Sequence, residues 1–153
     1  MRKNYDVVIV GGGASGMVAA CELGMSSPYL AVAILEKNDA MGRKIRATGS
    51  GRCNITNTAA EGYNEIMAFF RKIGLVTRTY DNGLVYPYSE SAADVVELLE
   101  SLIRNLGIDV ITEASVNKIY SNESIIGEDS GFLINFDKKD ADGTPMPQTV
   151  EAG

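Results

Sequence analysis

The chain has 153 residues, 45% hydrophobic and 22% charged, which is the composition of a globular protein of one ordinary domain. Its formal net charge of −6 provides no basic surface for a nucleic acid or an anionic membrane. No apolar run can span a bilayer, and the first one begins too early for a signal peptide to precede it, so we expect a cytoplasmic protein.

The chain contains no histidine and only two cysteines, Cys21 and Cys53, which are too far apart for a C-x-x-C motif. A Ser-His-Asp triad and a His-ligated metal are therefore excluded within these residues, and we expect no metal site. The sequence thus offers no disulfide framework and no dithiol motif, which fits a reducing compartment, and we expect Cys21 to face the core. No acid, base or nucleophile stands out as catalytic, so difficult chemistry would need a bound cofactor.

Residues 5–36 have the pattern of a strand, a glycine turn, a helix and a second strand. The apolar run 7–10 ends in three glycines, and Gly11, Gly13 and Gly16 have the G-x-G-x-x-G spacing. These glycines permit, in order, a tight turn, the close approach of a pyrophosphate and close packing of the helix on the strands. The helix then offers its N–H groups and positive dipole end to the phosphates.

Glu36 ends the second apolar run, residues 31–35, where a carboxylate can accept hydrogen bonds from both hydroxyls of a ribose. An acid at this position suits an unphosphorylated adenosine ribose and disfavours a 2′-phosphate. Because strand, turn, helix and acid are all present, the sequence predicts dinucleotide binding rather than a βαβ turn without a ligand.

Residues 37–57 lack clear periodicity and carry five basic residues in an otherwise acidic protein. A loop this long inside a compact domain is usually functional or disordered. One interpretation is a solvated basic loop. Its position after the ribose acid favours a cofactor loop, in which Arg43 and Lys44 reach the pyrophosphate and the turn TGSGRCN, residues 48–54, places bare backbone against a flat ring.

The remainder predicts a Rossmann-like α/β fold, a parallel sheet with an antiparallel β-meander. The elements that we expect are an amphipathic helix in 62–74, a hairpin turning at Asp81-Asn82-Gly83, a helix from Ser89 or Ser91 to Leu106, a third parallel strand at 108–112 and a meander in 116–152.

With these motifs in view, the chain resembles the N-terminal part of the NAD(P)/FAD-dependent oxidoreductases of the aminoacetone-oxidase-like, or BaiN-type, flavoprotein group. The GRK and GRCN blocks are more specific than the glycine fingerprint. The segments that carry the resemblance are 6–16, Glu36-Lys37, Gly42-Arg43-Lys44 and 49–57, with softer matches at 83–87 and in the helix after Ser91.

The resemblance implies FAD in a glutathione-reductase-type fold. The glycine turn would take the pyrophosphate, Glu36 the ribose and Val116 the adenine through its main chain, with Cys53 and Asn54 towards the flavin. Arg43 and Lys44 would lie at the phosphates. The implied cofactor-binding residues are Gly11, Gly13, Ala14, Ser15, Gly16, Glu36, Lys37, Gly42, Arg43, Lys44, Cys53, Asn54 and Val116.

Cys53 beside a flavin suggests a redox role, with the alternative that a small residue simply fits there. The lack of a partner thiol at a useful spacing favours the alternative.

The leading hypothesis is the FAD-binding portion of a flavin-dependent oxidoreductase, with a small-molecule substrate and hydride transfer through the flavin N5. NAD(P)H is left open as the electron donor. Two alternatives are an NAD-dependent dehydrogenase domain, which has no use for the GRK-to-GRCN loop, and a non-catalytic nucleotide-binding fragment.

Members of the group are longer, so we expect a truncated domain without its substrate domain. The sheet would then keep an unpaired edge, which pairing in an oligomer would cover.

Overall fold

The computed structural model describes residues 2–121, 131–139 and 142–153, which form two compact units. The first unit comprises Met1–Met41 and Ile103–Gly153, and the second comprises Gly42–Leu102. In chain order the elements are β1 (Asn4–Tyr5), β2 (Val7–Val10), α1 (Ala14–Ser26), β3 (Val32–Leu35), α2 (Arg43–Ala47), a 3-10 turn (Thr48–Gly51), β4 (Thr56–Asn57), α3 (Tyr63–Lys72), β5 (Thr77–Thr79), β6 (Leu84–Pro87), α4 (Ala92–Asn105), β7 (Asp109–Ile111), β8 (Ala114–Ser121), β9 (Phe132–Lys139) and β10 (Pro145–Ala152).

The first unit contains a parallel sheet in the order β2-β3-β7. All four residues of the central strand β3 are buried, as expected for an apolar run without alternation. The helix α1 joins β2 to β3, so the predicted strand, turn, helix and strand are all observed. Among the described residues β2 has one sheet neighbour, and its last residue, Val10, is 51% exposed.

A second sheet of the first unit has the order β1-β10-β9-β8. Its strands β8, β9 and β10 are the expected antiparallel meander, each eight residues long. The turn expected between the first two meander strands falls on residues 122–130, which lie outside the described residues, as do residues 140–141 of the second expected turn. The strand β1 was not predicted, because its two residues carry no periodicity. They pair in parallel with Glu151 and Ala152.

The two sheets of the first unit share one core. Its buried members are Tyr5, Ala33, Leu35, Ile111, Ala114, Ile134, Phe136, Val150 and Ala152. The Tyr5 hydroxyl donates a 2.9 Å hydrogen bond to Asp109 Oδ2 and so joins β1 to β7. Burial, then this hydrogen bond, raises the pKa of Tyr5 to about 12. Leu35, at the carboxyl end of β3, belongs to this core, and the partly buried Val8 of β2 packs against it. The core therefore supports the strands at whose carboxyl ends ligands bind in such sheets.

The second unit contains the antiparallel sheet β4-β6-β5 and the helices α2, α3 and most of α4. The expected hairpin joins β5 to β6, with Gly83 at a φ of +81°. The expected cap of α4 is also observed, because the Asp94 N–H donates to Ser91 Oγ at 3.2 Å and the Ser91 hydroxyl donates to Asp94 Oδ1 at 2.7 Å.

The expectation of an irregular loop over 37–57 is corrected by the structure. This stretch contains α2, the 3-10 turn and β4. The five residues of α2 are too few for a helical period to show in the sequence. A Cβ on Gly42, where the chain enters α2, would lie 2.7 Å from Val96 of α4, so close packing and not amphipathicity places this helix.

No helix among the described residues is long and apolar enough to cross a membrane.

Candidate dinucleotide site

The glycine turn between β2 and α1 has the geometry that its spacing predicts. Gly11 has a φ of +101°, which favours glycine, and its N–H donates to the Leu35 carbonyl oxygen at 2.8 Å. A Cβ on Gly16 would lie 2.0 Å from the Gly11 carbonyl oxygen, so no side chain fits where α1 meets the turn. Gly13 has neither a positive φ nor a close neighbour, since a Cβ there would meet nothing within 4 Å. Of these three glycines, the turn is thus packed only at Gly16, and it is open at Gly13.

The amino end of α1 is available to an anion. No side chain caps the helix at Gly13, and its first turn contains no acidic residue. Ala14 and Ser15, the first two residues of the helix, are exposed. Since the first N–H groups of a helix lack partners within it and carry the positive end of its dipole, this end suits a phosphate. The open face at Gly13 and the uncapped helix therefore fit a pyrophosphate.

Glu36 is buried at the end of β3, with 6% of its surface exposed, and it binds the glycine turn directly. Its Oε2 accepts a 2.6 Å hydrogen bond from the Gly12 N–H. Its Oε1 accepts from the Asn38 N–H at 2.8 Å and also from the Asn38 side-chain amide. The carboxylate is thus held by three donors within the protein, and it connects the ends of the first two parallel strands.

These contacts restrict how Glu36 can bind a ribose. A carboxylate oxygen accepts about two hydrogen bonds along its lone pairs. Oε1 already accepts two from Asn38, whereas Oε2 accepts one from Gly12. One ribose hydroxyl therefore fits at Oε2 without rearrangement. The two-hydroxyl interaction that we predicted requires the Asn38 amide to move away from Oε1.

The Glu36 carboxyl is ionised by its hydrogen bonds in spite of its burial. Burial raises its pKa, but the N–H groups of Asn38 and Gly12, then the Asn38 amide and the charge of Lys37, lower it further than burial raises it. The pKa of Glu36 is consequently below its ordinary value, and a negative charge stands beside the glycine turn.

Gly12 and Asn38 are site residues that the sequence analysis missed. A Cβ on Gly12 would lie 2.6 Å from Met41 Cγ and 3.2 Å from Glu36 Oε2, so this position requires glycine although it lies outside the G-x-G-x-x-G spacing. Asn38 could have been identified from the sequence, because Asn side chains in turns commonly form hydrogen bonds with nearby polar groups, and Asn38 lies two residues after the acid that ends the strand.

The structure places Lys37 and Val116 in the same unit as Glu36. Lys37 follows the acid and is exposed. Val116 lies in β8 at a register shift, two residues after Ala114, whose N–H donates to the Glu36 carbonyl oxygen at 2.9 Å. The main chain near Val116 is thus tied to the strand that carries the acid.

The remaining predicted residues belong to the second unit. Arg43 and Lys44 are exposed in the first turn of α2. Cys53 is buried, has a φ of +60°, and burial raises the pKa of its thiol above the ordinary value. In the orientation that satisfies both ends of its amide, the Asn54 side-chain nitrogen donates to the carbonyl oxygens of Thr56 at 2.9 Å and Val85 at 3.2 Å. Asn54 thus fixes its own turn.

No group of three or more Cys, Asp or Glu side chains within the described ranges is arranged to hold a metal ion.

The sequence of this chain is similar to a protein family and to known proteins. Residues 5–64 match the HI0933-like protein Rossmann domain. The chain is 37% identical over 158 residues to a 3-dehydro-bile acid delta(4,6)-reductase of Clostridium scindens, covering 91% of this chain and 36% of that protein. It is 36% identical over 59 residues to the ribosomal RNA dihydrouridine synthase of Escherichia coli, covering 39% of this chain and 14% of that protein. The chain therefore spans little more than a third of the first relative's length.

Solved structures share the fold. The 3-ketosteroid-delta4-(5alpha)-dehydrogenase of Rhodococcus jostii RHA1 superposes with a TM-score of 0.68 at 13% identity, over 97% of this chain and 44% of that one. The predicted Rossmann-like fold, with its parallel sheet and antiparallel meander, is confirmed.

We predict that Glu36→Gln destabilises the protein by about 2 kcal/mol at pH 7, because a buried carboxylate with charge-assisted hydrogen bonds is lost. Since the folded-state pKa of Glu36 lies below its unfolded value of about 4.3, its stabilisation is fully present above about pH 5 and is lost as the pH falls through the folded-state pKa. Urea unfolding at pH 7 and pH 3.5 measures both effects. Glu97→Gln, at an exposed position of α4, is the control. An equal loss of stability for the two variants would contradict the prediction.

We predict that neither thiol reacts readily with 5,5′-dithiobis(2-nitrobenzoic acid) in the native protein at pH 8. Burial, then the charge of Glu22, raises the pKa of Cys21 to about 11, and burial raises that of Cys53. In denaturant, both thiols should become reactive together. Labelling of the native protein that Cys53→Ser abolishes and Cys21→Ser does not would instead support a redox role for Cys53.

Proposed function

Because this chain carries the HI0933-like Rossmann domain of the BaiN-type flavoproteins, which its motifs resemble, we propose that it is the FAD-binding portion of a flavin-dependent oxidoreductase. FAD, when bound, supplies hydride transfer through the flavin N5, and the protein supplies binding, orientation and electrostatics. The activity belongs to the whole enzyme, of which this chain would provide the cofactor site.

The observation that carries the proposal is the open glycine turn beside a buried, ionised acid. Gly11 has a positive φ that favours glycine, Gly16 leaves no room for a side chain, and Gly13 leaves room for a ligand. Glu36 is connected to the turn through Gly12. A βαβ turn with no ligand has no need of an open Gly13 next to an uncapped helix. This arrangement supports a pyrophosphate at the turn and a ribose at Glu36.

We propose the following roles for the other site residues. Ala14 and Ser15 would present the N–H groups of α1 to the phosphates, and Arg43 and Lys44 would add positive charge. Lys37 would flank the adenine, and Val116 would contact it through the main chain. Gly42 would let the chain turn into α2, and Cys53 and Asn54 would lie on the flavin side, Cys53 as a small buried residue and not as a redox thiol.

FAD is favoured over NAD as the resident nucleotide because the GRK and GRCN blocks have no role in an NAD-only dehydrogenase. Retention of NAD but not FAD in titrations would support the dehydrogenase alternative. Weak binding of both, with no reduction of added flavin by NAD(P)H, would support a non-catalytic nucleotide-binding fragment. NAD(P)H is proposed as the electron donor by resemblance to the group alone.

The substrate would be recognised outside these residues. Two relatives that match this chain carry names that specify different substrates, a bile acid derivative and a ribosomal RNA. Similarity to this chain thus does not decide the substrate. With a net charge of −6, we propose a small-molecule substrate and no nucleic acid partner. The two cysteines are buried and form no disulfide, which is consistent with the proposed cytoplasmic location.

We predict that Gly13→Ala weakens FAD binding by about tenfold or more while leaving the fold intact. Gly13 has a φ of −79° and an added Cβ meets no atom within 4 Å, so alanine is tolerated in the free protein, where its methyl group would occupy the space of the pyrophosphate. The measurements are the visible absorption spectrum of the purified protein, an FAD titration followed by flavin fluorescence, and a thermal melt.

Gly12→Ala is the matched contrast for that experiment. Its Cβ would collide with Met41 and crowd Glu36, so we expect a loss of about 1–3 kcal/mol of stability. Undiminished FAD binding by Gly13→Ala, or a purified parent protein that neither carries nor takes up FAD, would overturn the proposal of an FAD site in this chain.

We also propose that the free edge of β2 pairs with a second copy of this chain. The strand has one neighbour among the described residues and ends in the exposed Val10. Exposed strand edges readily template further pairing. Sedimentation velocity should show a dimer or larger species, and Val10→Lys should shift it towards monomer, whereas Tyr29→Lys, at a site 82% exposed in the loop before β3, should not. A well-behaved monomer of the parent protein would contradict this.

A further inference from the structure

The turn 48–54 concentrates backbone strain. Gly49, Ser50, Gly51 and Cys53 all have positive φ, between +56° and +85°. Four non-glycine residues with positive φ occur in the described ranges, and two of them, Ser50 and Cys53, lie in this turn. A left-handed conformation is costly for residues with a Cβ and persists only where the surroundings enforce it. Contacts around this turn must therefore hold it in the left-handed conformation.

Two hydrogen bonds within the turn provide part of the constraint. The Arg52 N–H donates to the Gly49 carbonyl oxygen at 3.2 Å, and the Cys53 N–H donates to that of Thr48 at 3.1 Å. Both are local to the turn, so they do not by themselves select this conformation over others that a Gly-Ser-Gly sequence permits.

The Arg52 side chain connects the turn to β6. Its Nε donates to the Gly49 carbonyl oxygen at 3.2 Å, and its Cζ lies 4.7 Å from the centroid of the buried Tyr86 ring. Tyr86 also limits the turn directly, because a Cβ on Gly49 would lie 3.1 Å from Tyr86 Cε1. The guanidinium thus covers the ring on which the turn rests.

Glu90 orients that guanidinium. Its Oε2 lies 3.9 Å from Arg52 Nη1, while its Oε1 accepts from the Tyr80 hydroxyl and lies 3.5 Å from Arg78 Nη1. The Tyr80 ring packs edge-on against Tyr86 at 5.5 Å. Glu90 itself has a φ of +52°, which makes it a third strained non-glycine residue in one connected group.

We propose that Arg52, Tyr86 and Glu90, the Arg52 cluster, are positioning residues that hold the turn 48–54 in its left-handed conformation. This conformation sets the backbone that the turn presents to the flavin. The inference rests on the proposed function only for the identity of the ligand, since the contacts that hold the turn lie within the second unit.

Hydrogen–deuterium exchange of the flavin-free protein tests the cluster without any cofactor. Arg52→Gln and Glu90→Gln should speed exchange in the peptide covering 48–54, where the Arg52 and Cys53 amides are bonded, by about fivefold, with β6 unaffected. Arg78→Gln is the matched control, because Arg78 also pairs with Glu90, and the rings that it faces, Tyr80 and Tyr88, lie outside the turn. Unchanged exchange in Arg52→Gln, or the same increase in Arg78→Gln, would overturn the proposal.

Arg52→Lys separates charge from shape. Lysine keeps the attraction to Glu90 but lacks the planar group that stacks on Tyr86 and the Nε–H that donates to Gly49. In Arg52→Lys, the peptide covering 48–54 should exchange at a rate between those of the parent protein and Arg52→Gln. Should Arg52→Gln fail to fold, Glu90→Gln decides the question, since it removes the anion and leaves the turn sequence intact.

FAD titration then tests the link to the flavin. Arg52→Gln and Glu90→Gln should weaken binding about five- to tenfold, with Arg78→Gln unchanged. Unchanged FAD affinity in Arg52→Gln, despite faster exchange, would overturn the assignment of the turn to the flavin. A parent protein that binds no FAD would overturn the proposed function, while the exchange data would still decide whether the cluster holds the turn.

Discussion

The hydrogen bond from the Gly12 N–H to Glu36 Oε2 is the contact on which the rest of the candidate site depends. It joins the turn after β2 to the residue that ends β3. The Glu36 main chain is in turn bonded to Ile111 and Ala114, at the ends of β7 and the start of β8. One buried, ionised side chain therefore fixes the relative positions of the glycine turn and the carboxyl ends of the parallel strands. A charge in this position is tolerated because three N–H donors compensate its desolvation.

The two units hold their turns in place by different means. In the first, regular strands and a buried core position the turn, so precision comes from packing. In the second, a short strained turn is supported by an arginine, a buried tyrosine ring and a glutamate, each of whose contacts is weak alone. The proposed phosphate and ribose contacts thus lie on a rigid scaffold, and the proposed flavin contacts lie on a segment whose conformation depends on polar side chains.

The sequence predicted those parts of the fold whose cause is local. The glycine spacing and apolar runs predicted β2, α1 and β3, the Asn-Gly pair predicted the β5–β6 hairpin, and Ser91 predicted the cap of α4. It could not predict β1, α2 or β4, because two to five residues show no period and are placed by distant partners such as Glu151 and Val96. In the candidate site, the sequence pointed to Glu36, but it could not show the hydrogen bonds that Asn38 and Gly12 donate to this side chain, because they depend on three-dimensional contacts. The roles of the site residues towards a cofactor stay predictions.

Glu36 accepts a hydrogen bond from the glycine turn and is also the proposed ligand of the ribose. This affects any attempt to change which nucleotide the site prefers. Redesign of such sites towards a 2′-phosphate usually begins by replacing the ribose acid with a neutral or basic residue. Here that replacement would also remove the acceptor of the Gly12 N–H and leave a buried donor without its partner. The proposed ribose selectivity and the folding of the turn depend on one residue, so a change of preference would need a second substitution that restores an acceptor for the glycine turn.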